Sequence, residues 1–160
     1  MSVEIINPFS VEDMKKIEQY DLNNETDLKN SIKGQYSSMD ERNYYSYIND
    51  SYITALYFYN SKNDNINEIC YANCEKDMKK ATIIPIPNKK RKSNIIPEVT
   101  DLIFSMFDIT DISIIVPKNS IETINSLEKS GFISLGDDYN NIIYYKEKEI
   151  IIDYNITKVA

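Results

Sequence analysis

Hydrophobic and polar positions change their period along the chain, and each change marks an element. Val3 to Ile6 is a short apolar strand candidate. Ser10 then stands three residues before Asp13, which is close to a capping box, and Met14, Ile17 and Leu22 fall on one face of the helix that follows. A second helix is predicted from Thr26 to Ile32, stopped by Gly34, and a third from Ser38 to Ile48 with Tyr44, Tyr45 and Tyr47 crowding its end. The period then becomes that of strands. Tyr52 to Tyr59 is rich in β-forming residues and holds no breaker. A polar turn at 60–65 leads to a return strand, Ile66 to Cys74, and a second polar turn at 75–80 leads to a third, Ala81 to Ile86. This section reads as an antiparallel meander.

Pro85 and Pro87 close the meander. Backbone N–H groups two residues apart point to the same edge of a strand. Two prolines at that spacing leave one edge without donors, so pairing on that side must stop there and the strand must part from its neighbour. The parting predicts a cleft. Beyond it, Ile96 to Phe107 reads as a helix, with Pro97 and Glu98 suited to its first turn and Val99, Leu102, Ile103, Met106 and Phe107 as its apolar stripe. Ile112 to Val116 is a continuous apolar run, expected to be a strand buried on both faces. Residues 117–120 open another helix with Ile121, Ile124 and Leu127 inward and Gly131 at its end, and Phe132–Leu135 with Ile142–Lys146 makes a final hairpin. The apolar tail at 150–156 is expected to extend the last strand, to cover an edge, or to pair across a homodimer. There is no internal repeat and no linker, so residues 1–160 are read as one domain.

Composition removes whole classes of chemistry. The chain contains no histidine, which excludes His-based triads, His proton shuttles and His-containing metal sites. Cys70 and Cys74 are the two cysteines. On a strand, four residues span ~13 Å, too far for a local disulfide, and two thiolates are too few for a zinc site. No metal site is expected. The net charge of −7 argues against a surface that grips nucleic acid or anionic lipid. No apolar run approaches the ~18 residues of a membrane span. The Met-Ser-Val-Glu-Ile start has neither a basic nor a long apolar region, so a cytoplasmic protein is expected.

One dense positive cluster stands in this acidic chain: Lys89, Lys90, Arg91 and Lys92, immediately before a predicted helix start. Cations there face the positive end of the helix dipole, which costs a few tenths of a kcal/mol each. A bound anion would reverse the sign, because free N–H groups and cations would both stabilise it. The cluster reads as a phosphate or pyrophosphate site, as a solvated loop whose cations point outward, or as a nucleic-acid patch.

The order of elements from residue 52 onward resembles the GNAT N-acetyltransferase superfamily over nearly the whole chain. The most similar stretch is Ile112-Ser-Ile-Ile-Val-Pro-Lys-Asn-Ser120 through Leu127-Glu-Lys-Ser-Gly-Phe132. The resemblance implies an α+β fold: a mostly antiparallel central sheet with a splayed strand pair and flanking helices. It also implies acetyl-CoA as acyl donor, with the pantetheine arm in the cleft opened after Ile84 to Pro87 (hence Ile84 and Ile86 as lining residues) and the pyrophosphate on the loop Lys90, Arg91, Lys92, Ser93, Asn94 and Ile95. An Asn at the following helix start is matched by Asn119, or by Ser120 one position on. The acceptor would be the amine of a small molecule or of a protein. The family loop follows Arg/Gln-x-x-Gly-x-Gly/Ala. Here Lys90 matches its first position, while Ser93 and Ile95, or Asn94 in a loop one residue longer, stand at the glycine positions. Leu127 replaces the Tyr that serves many members as acid. Glu68 and Tyr144 are the candidates for base and acid, with Tyr139, Tyr145 and Glu75 nearby, and Tyr44, Tyr45 and Tyr47 either line an acceptor pocket or belong to the core. The alternatives are a GNAT-fold binding or regulatory module without turnover, and a small acidic regulatory protein that binds a partner.

Overall fold

The computed structural model describes residues 2–90 and 93–149. Its elements run β1 (Glu4–Ile5), α1 (Val11–Asn24), α2 (Leu28–Gln35), α3 (Glu41–Asp50), β2 (Ile53–Lys62), β3 (Asn65–Glu75), β4 (Lys80–Pro85), α4 (Ile96–Met106), β5 (Asp111–Pro117), α5 (Ile121–Lys129), β6 (Ile133–Asp137) and β7 (Asn141–Glu147). They build a 7-stranded sheet in the order β1-β2-β3-β4-β5-β7-β6. Every neighbouring pair is antiparallel except β4 and β5.

Local chemistry explains the boundaries. The Ser10 hydroxyl accepts from Asp13 N–H at 3.2 Å and starts α1, while the Asp13 carboxylate reaches back to Asn7 N–H at 2.8 Å. The β2–β3 hairpin turns on Asn63 and Asp64, both left-handed at φ 55° and 64°. Asn and Asp tolerate that region, and two such residues match the twist of the paired strands. α2 runs through Gly34 to Gln35, one residue beyond the stop expected there, because Gly34 stays helical instead of taking the left-handed conformation that ends a helix.

Register lines up one row across the sheet. Leu56 faces Ala72, Ala72 faces Ile83, Ile83 faces Ile114 and Ile114 faces Tyr144. Paired residues share a face, and every member of this row is buried. α5 lies over that face, where Tyr144 donates to Glu128 at 2.9 Å, and α4 is tied to it through Lys148 Nζ and the Phe104 carbonyl at 3.2 Å. The opposite face carries Tyr57 edge-on to Tyr71 at 5.1 Å and meets α1 where Tyr59 reaches Asp13.

Several expected core positions lie elsewhere. β5 alternates buried and half-buried residues and is not buried on both faces: Ile112, Ile114 and Val116 pack inward, while Ser113 and Ile115 on the other face keep partial contact with solvent. Ile121 is 63% exposed; Thr123 and Leu127 are the buried residues of α5. Leu22 is 72% exposed, and Tyr20 takes its place inward. Met106 is exposed beside the buried stripe of α4. The tail at 150–156 lies outside the described residues. No helix among the described residues is long and apolar enough to cross a membrane.

Candidate coenzyme cleft

The parallel ladder between β4 and β5 runs from Lys80/Asp111 to Ile83/Ile114 and stops. β4 continues to Pro85 against β3, and Ile86 N–H still donates to the Ile69 carbonyl at 3.0 Å. That bond turns the N–H groups of even residues toward β3 and the odd positions, Ile83, Pro85 and Pro87, toward β5. The two prolines thus stand on the edge where pairing ends. A cleft of 340 Å³ opens there, lined by Pro85, Ile86, Pro87, Asn88 and Ser93 on one side and by Pro117, Asn119, Ser120 and Thr123 on the other.

α4 begins at the rim of this cleft. Its N-cap residue, Ile95, supplies no side-chain cap, so first-turn N–H groups are left to other partners. The loop before it is held from behind. Ser93 N–H donates to Thr123 Oγ1 at 2.8 Å, and Asn94 N–H donates to Glu68 Oε1 at 3.0 Å. Glu68 is buried, and its other oxygen accepts from the Asn60 side-chain amide at 3.3 Å. The Ser93 hydroxyl is different. The residue is 4% exposed, lines the cleft, and its Oγ has no hydrogen-bond partner among the described residues. A buried hydroxyl without a partner is costly, and this one belongs to a residue that lines the cleft two positions before the N-cap of α4.

The sequence candidates distribute unevenly around this geometry. Ile86, Ser93 and Asn119 line the cleft together. Ile84 pairs with Tyr71 and sits on the opposite face, exposed. Ile95 is fully buried, and Asn94 lines a shallow depression beside α5 with Glu122 and Asn125. Lys90 is exposed, and Arg91 and Lys92 lie outside the described residues. Lys89 is tied to the end of α1: its ammonium meets Glu25 at 3.3 Å and its N–H meets Asn24 at 3.1 Å.

The acid and base candidates are both engaged elsewhere. Glu68 lies behind the loop rather than in the cleft. Tyr144 is buried, and burial, then its bond to Glu128, raises its phenol above the ordinary range. Burial pushes the Cys74 thiol up to about 12, and Cys70 rises too, so neither is a nucleophile at neutral pH. Of the tyrosine trio, Tyr44 donates to the Ile6 carbonyl at 2.8 Å and Tyr47 accepts from Ala55 N–H, while Tyr45 is exposed. Tyr139 is exposed, and Tyr145 bonds Asp111 and Glu147 at the far end of β7. Sequence reasoning misses Thr123 and Pro117 as cleft residues. Thr123 is hidden by helical phase, because the apolar Ile121 claims the inward place. Pro117 reads as an ordinary strand end, since nothing near it in the chain reports what lies across the sheet.

No protein-family model matches the chain, and no curated protein matches it in sequence. Solved structures do match its shape. The acetyltransferase from Salmonella typhimurium that modifies the N-terminal serine of ribosomal protein L7/L12 superposes with a TM-score of 0.62 at 11% identity, over 92% of this chain and 94% of that one. The chain has the GNAT fold. The PseH N-acetyltransferase of Campylobacter jejuni, solved with acetyl coenzyme A, gives a TM-score of 0.58 at 12% identity over 92% and 99% of the two chains. The PaiA N-acetyltransferase of Thermoplasma acidophilum, solved with coenzyme A, gives 0.57 at 14% identity over 92% and 100%. In this GNAT fold the splayed strand pair is β4 and β5, and the helix start beside it is that of α4.

Proposed function

We propose that this protein is an N-acetyltransferase that moves the acetyl group of acetyl-CoA to the amine of a small molecule or a protein. The observation that carries the reading is the cleft between β4 and β5 with the buried, unpartnered Ser93 hydroxyl at the start of α4. A diphosphate there would meet a hydroxyl donor, first-turn N–H groups and the positive end of the helix, with Lys90 adding charge. The fit is supported by the two solved neighbours that hold coenzyme A or acetyl coenzyme A. In the reaction the amine nitrogen attacks the thioester carbonyl, the N–C bond forms, the C–S bond breaks, and the proton lost by the amine goes to a base while the leaving thiolate is protonated. The step requires no metal and no histidine.

A second reading keeps the coenzyme and drops the turnover. It is favoured by the two loop N–H groups already taken by Thr123 and Glu68, and by the buried Leu127. Isothermal calorimetry with coenzyme A and mass measurement after incubation with acetyl-CoA and a panel of amines separate the two. Binding with acetylated product supports the transferase; binding without product supports the module. Lys90→Glu combined with Arg91→Glu should weaken coenzyme binding by roughly tenfold or more. Unchanged binding would remove the diphosphate from this loop.

A further inference from the structure

The next rung of the β4–β5 ladder is missing for a reason written into both strands. The register pairs Ile83 with Ile114, and odd residues of each strand face the other. Continuing the parallel pattern, residue 85 would donate its N–H to the Ile115 carbonyl, and residue 117 would donate its N–H to the Pro85 carbonyl. Both donors are prolines. Neither bond of that rung can form, whichever strand moves. Pro87 then removes the following donor on β4. What remains along both edges is a set of carbonyls. That of Pro87 receives the Tyr20 hydroxyl at 3.3 Å, and that of Pro117 receives Ser120 N–H at 3.0 Å. The carbonyls of Pro85 and Ile115, which the missing rung would have used, have no ladder partner across the gap.

We infer that the cleft is an acceptor-only slot, locked open by Pro85 and Pro117 together, which takes an extended ligand segment through that segment's own N–H groups. The identity of the ligand rests on the acetyl-CoA reading, whose pantetheine arm carries two amide N–H groups; the lock itself does not. A segment placed between the strands donates to the Pro85 and Ile115 carbonyls and finds no backbone donor there for its own carbonyls. Hydrogen-bond donors within the site come from side chains, those of Asn88 and Ser93 before α4 and of Asn119, Ser120 and Thr123 around the start of α5. The thioester oxygen, which gains negative charge during transfer, has no backbone partner on either strand edge and must draw on those side chains.

Two experiments test this. In the first, coenzyme A analogues with each pantetheine amide replaced by an ester lose one N–H at nearly constant shape. Calorimetry should show binding weakened by roughly tenfold for at least one of them. Full affinity for both esters overturns the slot. In the second, which needs no ligand, the Pro85→Ala, Pro117→Ala double variant regains both donors. Hydrogen exchange should show the new amides at 85 and 117 slowed roughly tenfold or more as the rung closes. Exchange at the unprotected rate at both positions overturns the lock. Failure of wild-type protein to bind coenzyme A at all removes the acetyl-CoA reading and leaves the second experiment to decide the lock.

Discussion

Replacing Ser93 by alanine should make the free protein more stable and its hold on coenzyme weaker. In the free protein the Ser93 Oγ is buried without a partner among the described residues. Burying a hydroxyl unpaired costs about 1–3 kcal/mol. Alanine keeps the Cβ and removes the oxygen, so after the small void left behind the variant should recover on the order of 1 kcal/mol. For a chain of this length that raises the melting temperature by roughly 2–4 °C. In the proposed complex the same hydroxyl would bond a charged phosphate oxygen, an interaction of about 1.5–3 kcal/mol, so its loss should weaken binding by roughly 10- to 150-fold. Thermal unfolding with and without coenzyme A reads both effects. At a coenzyme concentration about one hundred times the wild-type Kd, the ligand adds ~2.7 kcal/mol to the wild type. A tenfold weaker variant gains only ~1.4 kcal/mol at the same concentration. A variant that melts lower than wild type when free, yet keeps the full coenzyme shift, would refute the assignment of Ser93 as a ligand donor.

Two further outcomes follow from burial. Leu127→Tyr should destabilise the fold by about 1–3 kcal/mol and bring no gain in acetyl transfer, because this position points into the packed interior and not into the cleft; equal stability with increased activity would contradict that placement. Stability should also fall as pH rises above about 10. Burial, aided by Glu68 and Asp21, pushes the Tyr20 phenol up to about 12, and Tyr36 and Tyr44 are likewise raised by burial. Between the unfolded value near 10 and these raised values, the unfolded chain has released protons that the folded chain still holds, so alkali favours unfolding. Phenolate absorbance of the buried tyrosines should appear together with the loss of circular dichroism. Complete ionisation while the fold persists would show that these phenols are solvated.

How much of the fold and of the cleft is legible in the sequence depends on how local each cause is. The α1 start, the meander and the break after Ile83 follow from residues close together in the chain: a capping hydroxyl, a strand period, and prolines that cannot donate. Helical phase is less secure. With Ile121, Thr123, Ile124 and Leu127 all on α5, only packing decides that Thr123 and Leu127 go inward and Ile121 goes out.

The departure of β4 from its neighbour at Pro85 is dictated by the residues alone, because a missing N–H belongs to proline itself and its direction follows from strand alternation. Folding in three dimensions adds the rest: Pro117 lines the cleft with Pro85, Thr123 and Glu68 hold the loop N–H groups, and the Ser93 hydroxyl is left buried without a partner beside the cleft. Those partners lie 26 to 32 residues apart in the chain, and no local pattern reports a register that is set by burying a row of apolar side chains across the whole sheet.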